Sequence, residues 1–217
     1  SLWSLHKSVD AVCDFMKTLQ IPVISGKDSL SATYRGADGT VINIPPVLCM
    51  SVFGKISDVS KTVTADFKKI DSTICLVGNM DFEAMAGSIY YDVTKNLGEK
   101  ILHVNLKNLP KTLDAIFEGI QIGKILSCHD VSEGGILTTI FEMCVGGNNG
   151  VQVVINDRTR SDFFLFNETA GCFIVEVESE QNAKDLFKDT PYIFLGKTKK
   201  EKTITVSQNK NHLFNIE

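Results

Sequence analysis

The chain has 217 residues, 43% of them hydrophobic and 22% charged, enough for one large domain or for a domain joined to part of another. A net charge of −4 supplies no basic field, which sets nucleic acid aside as a first choice of partner. No apolar run approaches the roughly 18 to 20 residues of a membrane helix, and the first residues lack a basic-then-apolar signal pattern, so a cytoplasmic protein is expected.

In chain order, "SLWSLHKSVDAVCDFMKTLQ" places Val9, Val12, Cys13, Met16 and Leu19 at helical spacing and predicts an amphipathic helix with no start signal. Its abrupt beginning suggests a chain cut from something longer. "IPVI" reads as a short buried strand running into "SGKDSLS", and "ATYRGADGTVINI" as a hairpin turning at Asp38 and Gly39. "PPVLCMSVFGKI", "STICLVGN", "GVQVVI", "GCFIVEV", "YIFLGKT" and "TITVSQ" are β-rich, most of them apolar enough to be covered on both faces. Helical patterns lie between them, from Lys111, from Gly134 and from Glu180; in the second, Ile136, Leu137, Ile140, Phe141 and Cys144 share one face. "KTKKEK" at Lys197 to Lys202 reads as a solvated turn between strands. The order predicts an α+β fold, a mixed β-sheet of about six strands with flanking helices.

Cys13, Cys49, Cys75, Cys144 and Cys172 lie in apolar stretches and no C-x-x-C pair occurs, so buried free thiols are expected rather than disulfides. Asn167 to Thr169 matches a glycosylation acceptor, a match taken as accidental in a cytoplasmic protein.

Two stretches carry possible chemistry. In "HDVSEGG", Ser132 is placed to cap the helix that follows, with the amides of Glu133, Gly134 and Gly135 as its first unpaired donors. Two adjacent glycines cost helix stability and need a reason. Either the turn is tight and closely packed, or a bare backbone approaches a phosphate at the positive helix end. In the second case Asp130 would repel the phosphate unless Mg²⁺ bridged them. "SGKDSLS" places a glycine, a lysine, an aspartate and a hydroxyl at a strand end without the P-loop spacing: either an ordinary polar turn, or a phosphate contact through Lys27 with Asp28 orienting it or holding metal. Glu168, between an apolar run and a strand, reads as a solvated loop carboxylate, and His6, His103 and His212 as structural or surface residues.

Taken in order, "IPVISGKDSLS", "PPVLCMSVFGKI", "GSIYYDV", "HDVSEGGILTTIFEM" and "LFNETAGCFIVEV" resemble the phosphoribosylformylglycinamidine synthase family, within the aminoimidazole ribonucleotide synthetase superfamily. The resemblance implies that residues 1–45 are the tail of a second N-terminal-type domain and residues 46–217 a C-terminal-type α+β domain of the synthetase core. It makes Asp130 a Mg²⁺ ligand and Ser132 an ATP contact, and puts Gly26, Lys27, Asp28 and Ser29 at the nucleotide or substrate phosphate. Lys27 and His129 are the candidate catalytic residues. Glu168 matches a Glu-Ser-Gln substrate position of the other half, but Glu-Thr-Ala stands here, which speaks against that role. The implied activity is ATP-dependent amidine formation on formylglycinamide ribonucleotide in purine biosynthesis. The implied cofactors are ATP and Mg²⁺, and the implied partners are the rest of the core and a glutaminase domain or subunit, since no cysteine here has the setting of a glutaminase nucleophile. A homodimer of the fragment is a further expectation. The alternatives are another superfamily member, such as a selenophosphate synthetase, and a non-catalytic domain holding a structural nucleotide.

Overall fold

The computed structural model describes residues 2–27, 33–43, 47–156 and 158–217. They divide into two compact units, Ser1–Ser57 and Asp58–Glu217.

In the first unit, α1 (Leu2–Leu19) closes at Gln20, which adopts φ 55°, and Ile21 N–H donates back to Met16 O at 3.0 Å. No residue of α1 is buried. β1 (Thr33–Arg35) and β2 (Val41–Asn43) form the expected hairpin. Its turn is held by Gly36 N–H on Thr40 O at 2.8 Å and by Thr40 N–H on Asp38 Oδ1 at 3.0 Å. Two expected strands do not form. "IPVI" and residues 47–57 are irregular, with Ile24 75% and Phe53 77% exposed. A run of apolar, β-favouring residues becomes a strand only when a neighbour takes its N–H and C=O groups, and no strand among the described residues pairs with either segment.

The second unit runs β3 (Thr73–Val77), α2 (Ile89–Val93), α3 (Leu109–Gln121), β4 (Ile125–Asp130), α4 (Gly135–Gly147), β5 (Gly150–Ile155), α5 (Ser161–Phe166), β6 (Phe173–Val177), α6 (Glu180–Leu186), β7 (Tyr192–Lys199), β8 (Ile204–Gln208) and β9 (Asn211–Ile216). The seven strands form one mixed sheet in the order β4-β6-β3-β7-β5-β8-β9, all pairs antiparallel except β5 with β8. This is the expected α+β architecture, with β4 and β9 added to the runs read as strands and with the short helices α2 and α5 added between them.

Every residue of β3 is buried because successive side chains point to opposite faces and both faces are covered. Ile74 and Leu76 join Ile136, Ile140, Met143, Phe164 and Leu165, the inner faces of α4 and α5. Cys75 and Val77 join Ile116, Ala183 and Phe187 of the α3 and α6 side. Each fully buried aliphatic or aromatic side chain of this kind contributes about 1.5–3 kcal/mol. A carboxylate is buried in the sheet: Glu176 of β6 is 0% exposed. Its Oε1 accepts from Lys69 N–H and the Ser72 hydroxyl, and its Oε2 from Lys68 N–H and the Ser127 hydroxyl, at 2.6 to 3.0 Å. Four donors, three from residues 68–72 and one from β4, make this burial tolerable and pin residues 68–72 to the sheet.

All six cysteines are free, as expected, but Cys13 and Cys49 are exposed rather than buried. Both belong to the first unit, whose described apolar residues are not gathered into a core. Burial pushes the thiols of Cys75, Cys128, Cys144 and Cys172 up to about 12.

Candidate functional site

The site lies at one end of the sheet. Val77, the last residue of β3, and Asp130, the last of β4, both sit opposite Phe173, the first of β6. Strands on either side of a common antiparallel neighbour run parallel to each other, so the segments leaving β3 and β4 emerge together, beside the segment entering β6.

Asp130 emerges there with its side chain 64% exposed. The next residue, Val131, is buried and donates its N–H to Cys172 O at 2.8 Å, which ties this point of the chain to the start of β6. Ser132 and Glu133 then stand exposed, and the chain enters α4. Ser132 does not cap the helix: the N-cap is Gly134, at φ 83°, and Gly135 follows at φ 72° with its N–H on Ser132 O at 3.0 Å. Two successive left-handed residues tighten the turn, and this displaces the serine from the capping position. The donor freed at Gly134 goes instead to Glu168 Oε1, 2.8 Å away. The same oxygen accepts from Ile89 N–H, at the first residue of α2, at 3.0 Å. Glu168 is therefore half-buried and engaged, a correction to its reading as a solvated loop carboxylate.

Its neighbours are fixed as well. Asn167 is 0% exposed; its Nδ2 donates to Asp81 O at 2.8 Å and Ala84 O at 3.0 Å, and its Oδ1 accepts from Thr169 N–H and hydroxyl. With its amide consumed in the interior, Asn167 is no glycosylation acceptor in the folded protein. Phe166 stacks on Tyr90 with centroids 4.9 Å apart, and the Tyr90 hydroxyl donates to Asp162 Oδ2 at 2.8 Å. Asp162 also takes a two-pronged bond from Arg160, at 2.7 and 3.1 Å. Burial pushes the Asp162 carboxyl up, but the bonds from Arg160 and Tyr90 outweigh it and hold the group below the usual carboxylate range.

His129 lies between two carboxylates. Its Nδ1 is 2.9 Å from Asp130 O and 3.2 Å from Asp130 Oδ1, and its Nε2 is 3.2 Å from Glu142 Oε2 on α4. Nothing in the local sequence announces Glu142, which reaches the ring only because α4 packs back alongside β4. A cleft of about 370 Å³ opens where β3 ends, lined by Asn79, Asp81, Glu83, His103 and Asn105 among others. There the Lys100 ammonium, 2.8 Å from Asp81, holds the Asp81 carboxyl below its ordinary value.

Of the residues singled out from sequence, His129, Asp130, Ser132 and Glu168 thus meet at one end of the second unit. Gly26 and Lys27 are exposed in the irregular segment after α1 of the first unit, and a side chain at position 26 would meet nothing within 4 Å. Asp28 and Ser29 lie outside the described residues. Among the described residues no group of three His, Cys, Asp or Glu side chains is arranged to hold a metal. Asp130 still fits Mg²⁺ as one exposed carboxylate, because this ion keeps several waters and takes one or two carboxylates together with phosphate oxygens. Among the described residues, no helix is long and apolar enough to cross a membrane.

Residues 69–208 match the family model for the AIR synthase related protein, C-terminal domain. The phosphoribosylformylglycinamidine synthase subunit PurL of Caldanaerobacter subterraneus subsp. tengcongensis is 32% identical over 180 residues, which cover 82% of this chain and 24% of that protein. The subunit of the same name from Methanosarcina barkeri is 29% identical over 197 residues, covering 90% of this chain and 27% of its own length. The chain thus spans about a quarter of the length of the curated relatives it matches. Among solved structures, Thermotoga maritima PurL complexed with FGAR superposes with a TM-score of 0.62 over 73% of this chain and 29% of that one, at 16% identity. At that identity the likeness establishes the fold alone. The family match, covering most of the second unit, places this chain in the AIR synthase related protein family, by its C-terminal domain.

Proposed function

We propose that the chain is part of an ATP-dependent synthetase that converts formylglycinamide ribonucleotide to formylglycinamidine ribonucleotide in purine biosynthesis. The observation that carries this reading is the exposed Asp130 carboxylate at a strand end, followed by the tight Ser132–Gly135 turn into a 13-residue helix. Support comes from the family match and from the PurL relatives; Thermotoga maritima PurL, which shares the fold, has a solved structure complexed with ATP.

In this reading Asp130 supplies one Mg²⁺ ligand, and the Ser132 hydroxyl and neighbouring amides meet nucleotide phosphate at the positive end of α4. Mg²⁺, when bound, neutralises charge on the phosphates. The chain's own part is to hold a carboxylate and a set of donors where phosphoryl charge develops, with no reorganisation at the moment of transfer. His129 and Glu142 brace Asp130 from the side. Gly26, Lys27, Asp28 and Ser29 serve nucleotide or substrate phosphate, Lys27 as a point charge. Residues 1–45 are the tail of an N-terminal-type domain. The remaining ligands, the rest of the core and the ammonia-supplying glutaminase lie on other segments or subunits, and the assembly works in the cytoplasm.

The test is Asp130→Asn in the complete synthetase with ammonium as nitrogen donor. Turnover lost with circular dichroism and Tm unchanged supports the reading. Turnover per folded molecule unchanged with lowered Tm overturns it in favour of a structural nucleotide site.

A further inference from the structure

We infer that Glu168 is the positioning residue of the Asp130–Gly135 turn, fixing by one carboxylate oxygen the backbone that the proposed nucleotide site uses; the inference rests on that proposed site. The turn has two ends. The near end is held by the sheet, through Asp130 opposite Phe173 and Val131 N–H on Cys172 O. The far end, at Gly134, is held by a side chain, the Glu168 carboxylate at 2.8 Å. Between them Ser132 and Glu133 are exposed.

The carboxylate can act as a fixed post because the residues on both sides of it are tied down. Asn167 before it is locked to the carbonyls of Asp81 and Ala84, Thr169 after it is bonded to Asn167 Oδ1, and Phe166 is stacked on Tyr90. The backbone of Phe166 and Asn167 also presses on Gly135 so closely that a Cβ there would lie 2.6 Å from the Phe166 carbonyl carbon. By accepting from Ile89 as well as Gly134, Oε1 joins the start of α2 to the start of α4. Two amides converging on one oxygen is the arrangement that binds phosphate elsewhere, but here the protein supplies the anion itself. Incoming phosphate is thereby directed away from Gly134, toward Ser132 and Glu133.

Two variants test this. Glu168→Ala removes the acceptor; Glu168→Gln keeps an oxygen that can accept both amides and removes the charge. Amide hydrogen exchange on the 217-residue chain reads the contact directly and independently of any nucleotide. In Glu168→Ala the Gly134 and Ile89 amides are expected to exchange at least tenfold faster, with β3 and β6 amides unchanged, and Glu168→Gln is expected to restore most of the protection. In the complete synthetase, Glu168→Ala is expected to raise KM for Mg-ATP about tenfold while KM for the ribonucleotide stays the same, with recovery in Glu168→Gln. Unchanged exchange at Gly134 and Ile89 overturns the contact. Faster exchange with an unchanged Mg-ATP KM overturns the positioning role and leaves a purely structural tie. The nucleotide reading itself fails by a different result, an Asp130→Asn enzyme with full turnover.

Discussion

The paired glycines of the turn differ in what a methyl group would meet, and the difference is large enough to measure. At Gly135 the residue has φ 72°, which costs an L-residue about 1–2 kcal/mol. Its Cβ would also press on backbone, 2.6 Å from Phe166 C and 2.7 Å from Asn167 O, and backbone locked by Asn167 cannot move aside. Overpacking of this kind adds about 1–3 kcal/mol. The alanine also narrows the unfolded ensemble, returning about 0.5 kcal/mol. Gly135→Ala is therefore expected to destabilise by about 2–4 kcal/mol. Gly134 has a similar φ of 83°, but its Cβ would meet only the Thr138 side chain: rotation carries Oγ1 away at the loss of its bond to Gly134 O, and Thr138 Cβ, 2.9 Å away, has to give by a few tenths of an ångström. Gly134→Ala is expected to cost about 1–3 kcal/mol, the sum of the backbone term and one lost hydrogen bond of about 0.5–1.5 kcal/mol, less the same unfolded-chain gain of about 0.5 kcal/mol. Urea denaturation followed by far-ultraviolet circular dichroism is the assay, because the single tryptophan, Trp3, belongs to the first unit and the turn to the second. For a unit of this size the stronger variant lowers Tm by roughly 5–12 °C. A Gly135→Ala protein within about 0.5 kcal/mol of wild type, or a Gly134→Ala protein that is the less stable of the two, refutes the packing account of the pair.

Glu176→Gln would turn an amide group toward two of the four donors that face Glu176, leaving both unpaired; a loss of about 2–5 kcal/mol in urea titrations is expected, and a loss below about 1 kcal/mol would show that water takes the place of the lost bonds. The bond of Asp162 to Arg160 and Tyr90 gives an acid-side signature. A folded pKa below the ordinary value means that its contribution to stability is complete above about pH 4 and is lost as pH falls through the lowered folded value, so Asp162→Asn should flatten the acid limb of the Tm profile. An acid limb identical in the variant would remove Asp162 from the account. Native thiol titration near pH 8 should count two fast cysteines, Cys13 and Cys49, with the other four reacting only after unfolding; a third fast thiol would mean that the unit opens around Cys128 or its neighbours.

Legibility in the sequence followed the range of the interaction. The helix from Gly134, the strand "STICLVGN" and the hairpin at Asp38 and Gly39 could be read because each is specified by residues within a few positions of one another. β4 was missed because its outer residues alternate with a buried Ser127, a polar residue that is at home there only through Glu176, 49 positions away. Residues 47–57 failed in the opposite sense: the local pattern was strand-like, and no strand among the described residues answered it. The site was half legible. Asp130 and Ser132 could be found from their spacing to the glycines, but the cap was assigned to the nearest hydroxyl when the carboxylate at Glu168, 34 residues on, takes the donor. His129 could be named but not explained, since Glu142 is brought to it by helix packing.

The position of β5 in the sheet has a consequence for how the chain must fold. β5 lies between β7 and β8, which follow it by some forty to fifty residues and join each other across its first residue; a side chain at Gly150 would collide with the Glu201 and Thr203 backbone of that connection. During synthesis β5 leaves the ribosome with neither of its neighbours yet made, and it stays a bare strand with open edges until both arrive. Closure of this region is therefore a late, long-range event rather than a growing hairpin, and until it happens nascent chains are open to pairing with one another.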